Sequence, residues 1–143
     1  MIRKAVFILA LAAVGATAAY AQDVIAQRKD LMKANGAAAG TLGRMASGAA
    51  PFDLAAAQAA LKKLQEDAKA LPALFPAGSD KGETRALPAV FTEKDKFNAI
   101  FAKMDTDAGA ALTAVTDAAT LKTEVPKVLA NCGACHTPYR KSQ

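Results

Sequence analysis

Two cysteines and one histidine are all that this chain of 143 residues contains, and they fall within five consecutive positions, Cys132-Gly133-Ala134-Cys135-His136. Cys-x-x-Cys-His is the attachment sequence of c-type haem. Its spacing has a physical reason. Two vinyl groups on one edge of the macrocycle must each meet a thiol, and three residues along a helical turn set two thiols at that separation. The adjacent histidine then stands where its Nε2 reaches the iron as proximal ligand. Cys132 and Cys135 therefore read as the thioether anchors of one covalent haem c, and His136 as an axial ligand.

Other chemistries fit these residues less well. A zinc site needs four ligands, and the motif supplies three with no other Cys or His in the chain. A thioredoxin-type redox pair expects a strand-turn-helix setting, which the periodicity does not offer. A disulfide between Cys132 and Cys135 would close too small a loop to staple the fold. With His136 used as a ligand no distal base remains, so the sequence shows no proton-handling constellation and an enzyme, a peroxidase included, is not expected.

The N-terminus reads as a leader. Arg3 and Lys4 precede an uncharged apolar run, Ala5 to Ala16, and Ala19-Tyr20-Ala21 puts small residues at the positions a signal peptidase reads. The run is shorter than the roughly 20 residues a membrane span needs. Cleavage after Ala21 is expected, giving an exported chain with a periplasmic location and no membrane anchor. What remains, residues 22–143, is 143 less 21, or 122 residues, one domain. Losing Arg3 and Lys4 takes the 18 basic residues to 16 against 13 acidic, a balance too mild to imply a nucleic-acid partner.

The elements that must position the motif are helical. A first helix is expected from Asp23 to about Ser47, with Ile25, Arg28, Met32, Ala39, Leu42 and Met45/Ala46 on one stripe, widened by Val24, Leu31 and Ala38. Gly36, Gly40 and Gly43 interrupt it, and their expected use is close approach of another backbone. A second helix runs from an Asp53 N-cap to Leu71, where Pro72 stops it. Leu71 to Pro88 reads as a long connection, functional or crossing the bundle. Thr92-Glu93-Lys94-Asp95 has capping-box spacing and opens a third helix bearing Phe97, Ile100, Phe101, Met104, Ala108, Leu112 and Val115. The fourth helix, about Thr120 to Arg140, has the stripe Leu121, Val125, Val128, Cys132, Cys135/His136 and Tyr139, with a bend expected at Pro126. These parts assemble as an all-α, antiparallel up-down-up-down four-helix bundle with the motif facing inward.

At this point the sequence resembles the class II cytochromes c, the cytochrome c' group. The resemblance rests on the leader, the four-helix pattern and CGACHTPYR near the C-terminus, where most cytochromes c carry the motif near the N-terminus. QRKDLMKANG (Gln27 to Gly36), LPALFP (Leu71 to Pro76) and the ALP of Ala86 to Pro88 add to it, so it covers essentially residues 22–143. It implies that Arg28 lies near a haem propionate and that Arg140 flanks the proximal histidine. Many relatives carry tryptophan where this chain has Phe91.

The same family divides on the distal side. One branch leaves the iron five-coordinate and binds nitric oxide or carbon monoxide. A low-spin branch uses a first-helix methionine as sixth ligand and carries electrons. Met32 matches the distal position and lies one turn beyond Arg28. The end of the fourth helix lies level with the start of the first, and helix rise places His136 about 6 Å from that end and Met32 about 13 Å up the first helix. By the same rise Met45, at about 33 Å, is out of range, and Met104, at about 18 Å, is the poorer rival. The sequence thus points to a periplasmic electron-transfer protein with His136 and Met32 on the iron; the alternative is an open iron that binds gas. Redox partners stay unidentified; the glycine face reads first as packing within the bundle, with a homodimer as the alternative.

Overall fold

The computed structural model describes the backbone of residues 2–142 and the side chains of residues 22–142; the expected leader, residues 1–21, lies outside the residues whose side chains are described. Helix α1 (Ile2–Ser47) buries Val24, Ile25, Arg28, Asn35, Ala38, Leu42 and Met45 along one stripe. It ends where Gly48 takes a φ of 79°, the left-handed conformation that closes helices and that glycine adopts without a Cβ clash. A short turn leads to α2 (Leu54–Ala70), capped as the sequence predicts: the Asp53 carboxylate accepts the Ala56 N–H at 3.0 Å.

Pro72 does not end helical structure outright. It falls in the first turn of a 3-10 segment, Leu71–Leu74, which releases the chain into the long connection. A one-turn helix, α3 (Ala89–Thr92), then precedes α4 (Lys94–Ala114). The expected capping box at Thr92 to Asp95 does not form. Pro88 already has helical φ and starts α3, so Thr92 is a helical residue whose hydroxyl donates back to the Pro88 carbonyl, and Glu93 precedes α4 without a side-chain cap. The capping box in this chain belongs to α5 (Ala118–Tyr139), where the Asp117 and Thr120 side chains satisfy each other's backbone N–H groups. Helix α5 is continuous through Pro126, which lies on its exposed side.

The helices pack in a ring, α1 on α2, α2 on α4, α4 on α5 and α5 on α1. The chain is an all-α, antiparallel up-down-up-down four-helix bundle, and its interior has two parts. At one end Leu42, Met45, Leu61, Leu64, Ala108, Val115, Leu121 and Val128 form a closed aliphatic core. At the other, Leu71, Phe75, Val90, Phe97, Phe101, Cys135 and Tyr139 gather, with Met32 and Phe91 packed against them. That second cluster joins the middle of α1 and the early turns of α4 to the 3-10 segment Leu71–Leu74 and the last turns of α5. Among the described residues no atom of another element comes within 4 Å of a Cβ position on Gly36 or Gly43, and Gly40 meets only the Arg44 side chain at 3.5 Å. Gly36 also lines the interior cavity described below.

Candidate haem site

The second cluster does not close. It surrounds a cavity of about 540 Å³, a size that suits a bound cofactor. Ile25, Arg28, Met32, Asn35 and Ala39 line it from α1, Phe97, Ile100, Phe101 and Met104 from α4, and Asn131, Cys132, Cys135, His136 and Tyr139 from α5. Leu71 and Phe75 add to the apolar wall, and Thr84, Arg85 and Ala86 come from the long connection. Phe97 holds that wall together, with ring centroids 4.8 Å from Phe75, 5.1 Å from Phe101 and 5.2 Å from Tyr139, all edge-to-face. Such pairs add about 0.5–1.5 kcal/mol each beyond area burial.

The long connection is both a crossing and part of the site. Helix α5 ends at Tyr139, and Arg140 turns to extended backbone, φ −127° and ψ 133°. Leu87 then donates to the Tyr139 carbonyl at 2.9 Å, and Lys141 donates to the Arg85 carbonyl at 2.9 Å. Ala86 and Arg140 form an isolated antiparallel bridge. The segment that follows the cysteines is thereby clipped to the loop that enters the cavity.

Cys132, Cys135 and His136 all reach the cavity, as the apolar stripe of the fourth helix implies. Cys135 is buried and Cys132 partly so. Burial pushes the Cys135 thiol up to about 11, with Cys132 adding to the effect and Arg140 opposing it. Burial raises the Cys132 thiol as well. For His136, burial disfavours the charged ring, and the positive charges of Arg140 and Arg85 act in the same direction. The imidazole is held neutral, the form whose lone pair can bind a metal.

Arg28 is 5% exposed. Its guanidinium lies over the Phe75 ring, 4.5 Å from the centroid, and Nη2 donates to the Ser79 carbonyl at 2.8 Å. Nη1 is buried with no hydrogen-bond partner among the described residues. A buried donor without an acceptor is costly, and a carboxylate entering the cavity would supply one. A large apolar plane edged with carboxylates, which is what haem presents, therefore fits this cavity. Met32 shares the cavity with His136, and so does the rival Met104, whereas Met45 lies in the closed core at the other end. Arg140 lines the mouth and is exposed.

Sequence reading missed several lining residues. Asn35 and Asn131 sit on the buried stripes, three residues beyond Met32 and Val128, and a polar residue on an apolar stripe was the available signal. Phe75, Thr84 and Arg85 carried none, because the loop reaches the cavity only through tertiary structure.

Residues 23–140 match the family model described as Cytochrome C'. The chain is 44% identical over 135 residues to a cytochrome c' of Rhodopseudomonas palustris, covering 93% of this chain and 92% of that protein. It is 40% identical over 126 residues to cytochrome c-556 of Agrobacterium fabrum, covering 87% and 86%. The solved structure of a Rhodopseudomonas palustris cytochrome c' superposes with a TM-score of 0.82 at 43% identity, over 85% of this chain and 98% of that one.

Proposed function

The chain belongs to the cytochrome c' family, and from that premise we propose that it carries single electrons, its iron cycling between Fe(II) and Fe(III) with His136 and Met32 as axial ligands. Its cofactor is covalently attached haem c, as in its homologues. The observation that carries the proposal is the shared cavity: Met32 and His136 both line it, as does the rival Met104, and Met45 does not.

In this reading the Cys132 and Cys135 sulfurs hold the haem as thioethers, and His136 and Met32 supply nitrogen and sulfur to the iron. Bound haem supplies one-electron exchange. The chain holds and tunes it. Arg28 would set a buried positive charge near a haem carboxylate, and Arg140 would add positive charge beside the proximal ring. The Phe75, Phe97 and Phe101 wall keeps water from the macrocycle, and a thioether ligand favours a raised potential.

A second reading leaves the iron open on the distal side to bind nitric oxide or carbon monoxide. It draws on the 44% relative, which is named cytochrome c' rather than c-556. Optical spectra of the oxidised and reduced protein, with and without carbon monoxide, separate the two. A low-spin reduced spectrum that carbon monoxide leaves unchanged supports ligation by Met32. A high-spin spectrum that shifts at once on adding carbon monoxide transfers the function to gas binding.

The reading extends to export and assembly. Cleavage after Ala21 would deliver residues 22–143 to the periplasm, where the redox partners would be met. Among the described residues searched, no helix is long and apolar enough to cross a membrane. The space beside Gly43 of α1 favours a homodimer, and sedimentation at micromolar concentration showing only monomer would remove that part.

A further inference from the structure

We propose that Lys94 of α4 acts with Arg28 of α1 as a pair of positive charges at the aromatic wall of the cavity, offsetting the haem carboxylates and raising the reduction potential. The inference rests on haem occupying the cavity and not on which group takes the sixth position.

Lys94 is the first residue of α4, where the helix dipole disfavours a cation. It has an acidic residue on either side, Glu93 and Asp95, and forms an ion pair with neither. Six other lysines do pair with carboxylates, among them Lys96, which takes Glu93 at 3.2 Å. Local sequence therefore gives no reason for a lysine here, and its side chain turns inward. Lys94 is partly buried, and its Nζ donates to the Phe75 carbonyl at 2.8 Å. The ammonium lies 5.8 Å from the centroid of the Phe75 ring and 5.5 Å from that of Phe97. Both rings line the cavity, although Lys94 itself does not.

Arg28 reaches the same Phe75 ring from α1, 4.5 Å from its centroid. Two like charges thus converge on one ring, and among the described residues no carboxylate forms an ion pair with either. Burial lowers the pKa of both groups, and the charge of Arg28 lowers that of Lys94 further. Attraction to the ring faces holds the two charges without neutralising them. Haem supplies what is missing, because its two carboxylates are ionised at neutral pH and would enter a cavity that Arg28 lines. Charge acts further across a packed wall than through water. Oxidised haem carries one positive charge more than reduced haem. Its own carboxylates favour the oxidised form, and cations behind the wall counter them and favour the reduced form. Lys94 touches no reacting atom; it tunes.

Redox titration of the holo-protein and three variants tests this. Lys94→Met keeps the length of the side chain and removes its charge, and its potential should fall below that of the parent. Lys94→Arg retains the charge and should stay at the parental potential. Lys96→Met removes an exposed charge from the next turn of surface and should also leave the potential in place. An unchanged potential in Lys94→Met overturns the proposal. So does an equal fall in Lys94→Arg, which would make the effect one of packing, or in Lys96→Met, which would make it one of net charge. The Lys94→Met spectrum should keep the parental spin state, and an altered one would assign Lys94 to holding the wall instead. The spin state of the unsubstituted protein judges the sixth ligand separately, so the two readings fail in different measurements.

Discussion

Arg28 Nη2 donates to the backbone carbonyl of Ser79 at 2.8 Å, joining α1 to a loop residue 51 positions later in the chain. Ser79 is fully buried, so no solvent replaces that donor. Nη2 thus anchors the loop, while Nη1 is buried with no partner among the described residues. Arg28→Ala should destabilise the protein by about 1–3 kcal/mol through the unpaired Ser79 carbonyl. Thermal unfolding measures this, and an unchanged midpoint would show that the loop is held by other contacts.

Covalent attachment is tested at the cysteines. Cys132→Ala or Cys135→Ala alone should leave at most one thioether. With both replaced, acidified organic solvent should extract the haem from the polypeptide. Haem that stays with the double variant contradicts the assignment of both sulfurs.

Met32→Ala removes the proposed sixth ligand from a partly buried position on the cavity wall. The low-spin spectrum should become high-spin, and carbon monoxide should gain access to the iron. Met104→Ala, the control on the opposite helix, should leave the spin state alone. Reversed results would move the sulfur ligand to α4.

Acid stability should depend on Asp107. Burial works upward on its carboxyl, but hydrogen bonds from Lys103 and Asn131, with the charges of Lys103 and Lys127, hold it below the usual range. A depressed folded value contributes stability above the unfolded carboxylate pKa of about 3.9. That contribution disappears as pH falls through the folded value, because the unfolded state then binds the proton first. Asp107→Asn should therefore be less stable near neutrality and show a shallower acid limb below about pH 4. Urea unfolding followed by circular dichroism across that range reads it, and parallel limbs in parent and variant would exclude the linkage.

The sequence by itself determined what local chemistry can express. CGACH states its cofactor in five residues, because thioether attachment needs that spacing along a helical turn. The stripes of α1 and α5 are legible since burial on one face repeats at the helical period, and the Asp53 cap because its partner lies three residues away. Thr92 shows where such local signals fail. Its capping spacing is present, yet Pro88 starts a turn earlier and absorbs it, while a capping box forms at Asp117 and Thr120. Tertiary structure alone decided that Arg85 and its neighbour Thr84 face the cavity, since Arg85 and Leu87 pair with residues that follow the cysteines. It also decided that Met32 and Met104 share the space of His136 while Met45 does not. Each of these depends on the register of one helix against another, which contacts between residues distant in the chain set and no short stretch of sequence contains.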